Sequence, residues 1–156
     1  MSEPIKTAAE AAEAEVLPRI YEVHCDPDQR SACDQEVPEA VTAKPTDQKS
    51  PAQWAYERVV LYLKNFEEQL DNDHEIAMGF TGGDAGVLRI EGMGYFDPDI
   101  VTFYGSDPAG GRTQLVQHVS QLNVMLRALP KQVSAAAPRR IGFRLVEDME
   151  KAQQKS

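Results

Sequence analysis

Cysteine is scarce in this sequence, with only Cys25 and Cys33 among 156 residues. A domain of this length buries enough surface to fold without a staple, so both read as reduced thiols and a disulfide scaffold is excluded. Long apolar runs are missing as well. No stretch of 18 apolar residues occurs, and the opening MSEPIKTAAEAAEAEV lacks the apolar region of a secretory signal. The expectation is a soluble, cytoplasmic protein with no membrane partner. The three histidines stand in separate contexts, so no Ser-His-Asp or Cys-His arrangement emerges and no enzyme is expected. His24, Cys25 and Cys33 lack the paired Cys spacing of a structural zinc site. Asp71, Asp73, Glu75 and Asp84 could crowd together, but the string DNDHE lacks the glycine and terminal glutamate of a calcium loop. The glycines of TGGDAG are closed by no Lys-Ser/Thr, as a phosphate loop would require. No metal or other cofactor is therefore expected.

Acidic residues are absent from one long segment, and that absence shapes the charge argument. The net charge of −9 opposes simple electrostatic wrapping of nucleic acid. Yet residues 1–50 hold 11 acids and 5 bases, residues 51–107 hold 11 acids and 3 bases, and residues 108–145 hold 6 bases and no acid. Arg112, Arg127, Lys131, Arg139, Arg140 and Arg144 are therefore available either for one basic face or for neutralising the acids of the preceding segment.

Residues 1–49 are poor in large apolar side chains and interrupted by Pro18, Pro27, Pro38 and Pro45. Such a composition buries too little surface to offset ordering entropy, and the segment reads as a disordered acidic tail. The domain is expected over residues 50–146. Ser50 and Pro51 mark a helix start, with Gln53 placed for a capping box. Tyr56, Val59, Val60, Leu63, Phe66 and Leu70 then recur at helical spacing, which predicts a helix to about Leu70 with its apolar stripe on a sheet. From Glu75 the period becomes strand-like: EIAMGFT, VLRIEGMGYF and IVTFYG, separated by Gly- and Asp/Pro-rich turns. Gly92 and Gly94 predict a bulge or sharp bend. RTQLVQH and NVMLRALP read as fourth and fifth strands, although a helical stripe over 113–129 also fits. RRIGFRL alternates Ile141, Phe143 and Leu145 with polar or small residues as a candidate sixth strand, and residues 147–156 read as a frayed polar end. The fold class is thus α+β: an N-terminal helix packed on a small, strongly bent antiparallel β-barrel of five to six strands.

That layout resembles the bacterial Sm-like (Hfq-like) small barrels. Ile90-Glu91-Gly92 followed by Phe96-Asp97-Pro98-Asp99-Ile100-Val101 resembles the first Sm motif, and Gln114 through Ser120 resembles the second. The stretches SPAQWAYERVV, QHVSQLNV and RRIGFRL also resemble a bacterial family of uncharacterised function. The Sm resemblance implies a homo-oligomer, because such barrels leave strands four and five as open edges that pair with a neighbouring copy. It further implies single-stranded RNA binding, with His118 approaching a uridine, Gln117 standing where the Hfq branch has lysine, and Arg112 and Arg127 supplying positive charge. Ile100 stands where that branch has an aromatic stacking residue. The contrasting expectation is a protein-interaction or adaptor module with no nucleic acid, using the tail or an edge strand.

Overall fold

The computed structural model describes residues 21–25, 48–80, 86–131 and 137–155. The expected disordered tail over 1–49 and the TGGDAG turn lie largely outside these residues, as does Cys33.

Helix α1 spans Pro51–Glu68. Ser50 is its N-cap and accepts a hydrogen bond from the Gln53 backbone N–H at 3.0 Å, while Pro51 fills the first helical position, where no N–H is needed. Only half of the expected capping box forms, because the Gln53 amide turns toward Glu57 Oε1 at 3.4 Å. The Ala52 N–H donates to the Pro98 carbonyl at 2.9 Å, which fixes the helix start to the turn after the second strand. Lys49, just outside α1, is buried: its ammonium bonds Glu57 at 2.8 Å and lies 4.4 Å from the centre of the Trp54 ring. The domain therefore begins no later than Lys49.

Five antiparallel strands follow: β1 (His74–Phe80), β2 (Val87–Phe96), β3 (Ile100–Ser106), β4 (Arg112–His118) and β5 (Val124–Pro130). Their order across the sheet is β4-β3-β2-β1-β5. The 113–129 segment is thus strand, one turn of 3-10 helix (Val119–Gln121) and strand. The register shifts between Ile90 and Gly92, where the glycines predicted a bulge. Opposite that bulge, a side chain on Gly105 would stand 2.2 Å from the Arg89 carbonyl oxygen, so only glycine permits the two backbones to meet.

Two sequence expectations need correction. The barrel does not close among the described residues: β3 takes the whole of β4, β1 takes the whole of β5, and the two outer ladders are not joined. The sheet is nonetheless curled. His118 and Val124 are linked through one 3-10 turn, a path of about 16 Å, whereas four strand spacings of a flat sheet would separate their strands by about 19 Å. The second correction concerns the C-terminus. The expected sixth strand and frayed end are one helix, α2 (Ile141–Lys155). Over Ile141–Leu145 a period of two fits, but Ile141, Leu145, Val146 and Met149 are the buried residues, which is a helical spacing that appears only when the window reaches Met149. Glu147 pairs with Lys151 at 2.9 Å on its exposed side.

The core lies between α1, α2 and the inner face of the sheet. Val60, Leu63, Met78, Val101 and Phe103 are fully enclosed, each side chain contributing about 1.5–3 kcal/mol through burial. Tyr56, Ile76, Leu88 and Ile90 are also buried, and Val59, Phe66, Leu115, Val124 and Leu126 pack at the margin of this core. Burial pushes the Tyr56 hydroxyl up to about 12, with Asp148 of α2, Tyr95 and Glu57 adding to the shift.

Candidate functional site

The four expected site residues do not form one cluster. Side chains alternate along a strand, so Gln117 and His118 point to opposite faces of β4. Gln117 is half-buried opposite Val101, and its Oε1 has no hydrogen-bond partner among the described residues. His118 is exposed at the strand end, opposite Ile100.

The imidazole of His118 organises the turn that follows it. The Ser120 backbone N–H donates to Nδ1 at 3.0 Å and the Ser120 hydroxyl lies 2.7 Å from the same nitrogen. Nδ1 is therefore an acceptor and the ring proton sits on Nε2, which faces Asp99 Oδ2 at 3.1 Å. Gln121 closes the box by accepting from the His118 N–H at 3.1 Å, and Val119 N–H donates to the Asp99 carbonyl at 2.7 Å. A Ser120–His118–Asp99 chain thus exists, as an N-cap of the 3-10 turn that sews β4 to the β2–β3 turn. Both ring nitrogens arrive already bonded.

Arg112 and Arg127 occupy the two open edges. Arg112 begins β4, six residues and about 20 Å of strand from His118. Register nevertheless places the two arginines on one transverse row: Arg127 pairs with Ala77, Ala77 with Arg89, Arg89 with Ser106, and Ser106 with Arg112. Paired residues share a face, so one line across all five strands of the outward face carries three arginines with small residues between them. Arg89 is held, donating to Glu75 at 3.2 Å and to the Pro130 carbonyl at 2.8 Å. Arg112 and Arg127 are exposed and have no ion-pair partner among the described residues.

Other bases of the acid-free segment serve the fold. Arg139 bonds Glu91 at 2.8 Å, and its backbone N–H donates to the buried Glu75 at 3.0 Å. Arg140 donates to the carbonyls of His74 and Asp71, both at 2.7 Å. Glu67 of α1 then receives the N–H groups of Gly142 and Phe143 at 3.0 and 3.2 Å, capping α2 with a carboxylate. Burial raises the pKa of Glu67, against the lowering effect of those N–H groups and of Arg140. The sequence offered either a basic face or neutralisation; the structure divides the bases between the two. The arginine row, including Arg89, escaped sequence reasoning because it depends on the register of four strand pairs at once.

A groove of about 840 Å³ lies between β2 and α2, bordered by Met93, Phe143, Arg144, Asp148 and Lys151. Its charges are mixed, and Lys151 is already paired to Glu147. None of the expected site residues borders it.

Comparison with known proteins adds a family. A family model described as a family of unknown function (DUF6173) matches residues 45–144. The chain belongs to this family. The matched region opens just before the buried Lys49, contains all five strands and the arginine row, and ends in the first turn of α2 beside the Glu67 cap. The expected resemblance to an uncharacterised family is met at that level, and this match carries no evidence of Sm-like kinship. No curated protein and no solved structure gives a match.

Proposed function

We propose that this family member is a non-enzymatic binding module of Sm-like layout that assembles through β4 and β5 and binds single-stranded RNA. The observation that carries the reading is the coincidence of two edge strands left open among the described residues with two arginines, unpaired among the same residues, on one row of the outward face. An open ladder of N–H and C=O groups is a template for another strand, and a second copy supplies the complementary edge. Val116 on β4 and Met125 on β5, both exposed on the outward face, would then meet at the seam. Arg112 of one copy would approach Arg127 of the next, turning separate charges into a continuous basic band. The helix–sheet order and the identity of the edge strands are the features in favour of the Sm-like layout.

Titration of the full chain with oligo-U and oligo-A at low and moderate salt tests this reading. Affinity that falls as salt rises is expected, because arginine–phosphate contacts release counterions. Absence of binding to either oligomer at low salt overturns it. A second reading, a protein-binding adaptor without nucleic acid, is favoured by the net charge of −9 and by the exposed apolar pair Val116 and Met125. It is the reading that remains if neither RNA binds.

A further inference from the structure

The outward face holds one feature that neither the charge pattern nor the motifs singled out. Tyr104 in β3 is exposed and pairs across the sheet with Gly92 on one side and Gln114 on the other. A methyl group placed on Gly92 would stand 3.7 Å from Tyr104 Cδ2, so the ring rests beside a bare backbone with no side chain there to cover it. Gly94 and Thr102 continue the same low surface in the next row. Ser106 and Arg112 stand two residues further along β3 and before Gln114 on β4, about 7 Å from the Tyr104 row.

This surface is also free of unengaged carboxylate, which is unusual in so acidic a protein. The outward residues of β3 and β4 are Ile100, Thr102, Tyr104, Ser106, Arg112, Gln114, Val116 and His118, none of them acidic. The acids that border these strands in sequence are engaged, Asp97 by the Ser50 hydroxyl, Asp99 by His118 at 3.1 Å and Asp107 by the Gly111 N–H at 2.7 Å, and Glu91 across the bulge is paired with Arg139.

We propose that the outward face around Tyr104 is the RNA-binding surface, with a base stacked on the Tyr104 ring, Gln114 beside it as a hydrogen-bonding group, and Arg112 and Arg127 on phosphates. The inference rests on the RNA reading above and moves the contact surface away from the His118 turn. An aromatic ring with a row of arginines along one side suits single strands, whose bases are free to stack, and it tolerates any base because every base presents a π face. The His118 ring, bonded at both nitrogens, acts on the turn instead.

Fluorescence anisotropy of labelled oligo-U and oligo-A with the full chain separates the possibilities, using Tyr104→Leu, Tyr104→Phe, Arg112→Gln, Arg127→Gln and His118→Ala. Circular dichroism and light scattering verify that each variant keeps its fold and assembly, and Tyr104→Phe serves as the folded reference at the platform. Loss of stacking in Tyr104→Leu is expected to weaken binding at least about fivefold, with Tyr104→Phe within about twofold of the parent. Each Arg→Gln change is expected to reduce the slope of log affinity against log salt by about 1, and His118→Ala to leave affinity unchanged. If His118→Ala abolishes binding while Tyr104→Leu and the arginine variants match the parent, this inference falls and the RNA reading stands. If the parent binds neither oligomer at low salt, the RNA reading itself falls and takes the platform with it.

Discussion

Glu67 joins the chemistry of a single residue to the position of a whole helix. Its carboxylate is almost fully enclosed, yet it accepts the first free N–H groups of α2. Burial raises its pKa in the folded state, so between the unfolded and folded pKa values the native protein holds a proton that the unfolded chain has lost. Stability from this group therefore falls as pH rises through that window and is recovered on acidification. Urea denaturation across pH 5 to 8, roughly the interval above the ordinary carboxylate value, checks this. The advantage of the parent over Glu67→Gln is expected to grow toward the acid end. An advantage that shrinks there would mean that the ionised cap outweighs burial.

Gly142 is the other residue on which the placement of α2 depends. A side chain at this position would stand 2.6 Å from the Lys64 backbone nitrogen. Gly142→Ala therefore forces the helices apart and is expected to cost about 1–3 kcal/mol, read from the denaturation midpoint. Position 142 as a strand residue would have given no such penalty.

At the scale of elements, legibility followed how local each signal was. The start of α1 was visible because Ser50 and Pro51 act on the adjacent turn, and the hairpins were visible because their turn residues are contiguous with the strands. The sequence left 113–129 open between a helical stripe and two strands; the structure makes it two strands joined by a turn, with Val116 and Val124 on the strands, consistent with the preference of branched side chains for pleated backbone. α2 was lost because five residues cannot distinguish a period of two from one of 3.6, and of its decisive residues Val146 stood at the last position of the expected domain and Met149 beyond it. Lys49 was placed in the tail because its reason for burial, Glu57, is a turn and a half into α1. Trp54 was not counted in the core, since it lies off the stripe that starts at Tyr56, although it packs under Lys49 and is buried.

The site was less legible than the fold for the same reason. Arg112, Arg127 and His118 were chosen individually from charge and motif, and they do share the outward face. Their arrangement is a property of sheet register: a slip of one residue in either the β1–β2 or the β2–β3 pairing would send Arg89 or Arg112 to the other side. Gln117 fell on the inner side because it neighbours His118 along a strand. Tyr104 was hidden inside a run that read only as an apolar strand.

For the whole molecule, the edges decide what the protein can be. A curled sheet with β4 and β5 unjoined among the described residues presents two strand ladders, each carrying an exposed apolar residue on the outward face. Natural proteins protect such edges with charge or cover. Here Arg112 and Arg127 are the charges on the edges, and in the assembly proposed above a neighbouring copy would cover both edges at once. Substituting Val116→Lys together with Met125→Lys removes the apolar contact that would hold the seam against the Arg112–Arg127 approach and adds two more positive charges there, and is expected to dissociate the proposed assembly without changing the far-UV circular dichroism, since both side chains are more than half exposed. Persistence of an assembly in this variant would move the contact away from the edge strands.

The most direct test of edge-to-edge assembly is the solution mass of the full chain, measured by light scattering at about 10–50 micromolar, the range in which a weak but specific self-association is populated. A mass that is a whole-number multiple of the chain, and that drops to one chain in the Val116→Lys, Met125→Lys variant, is the predicted result. A parent protein that scatters as a single chain throughout that range would contradict the account, because β4 and β5 would then stand open with no partner to join them.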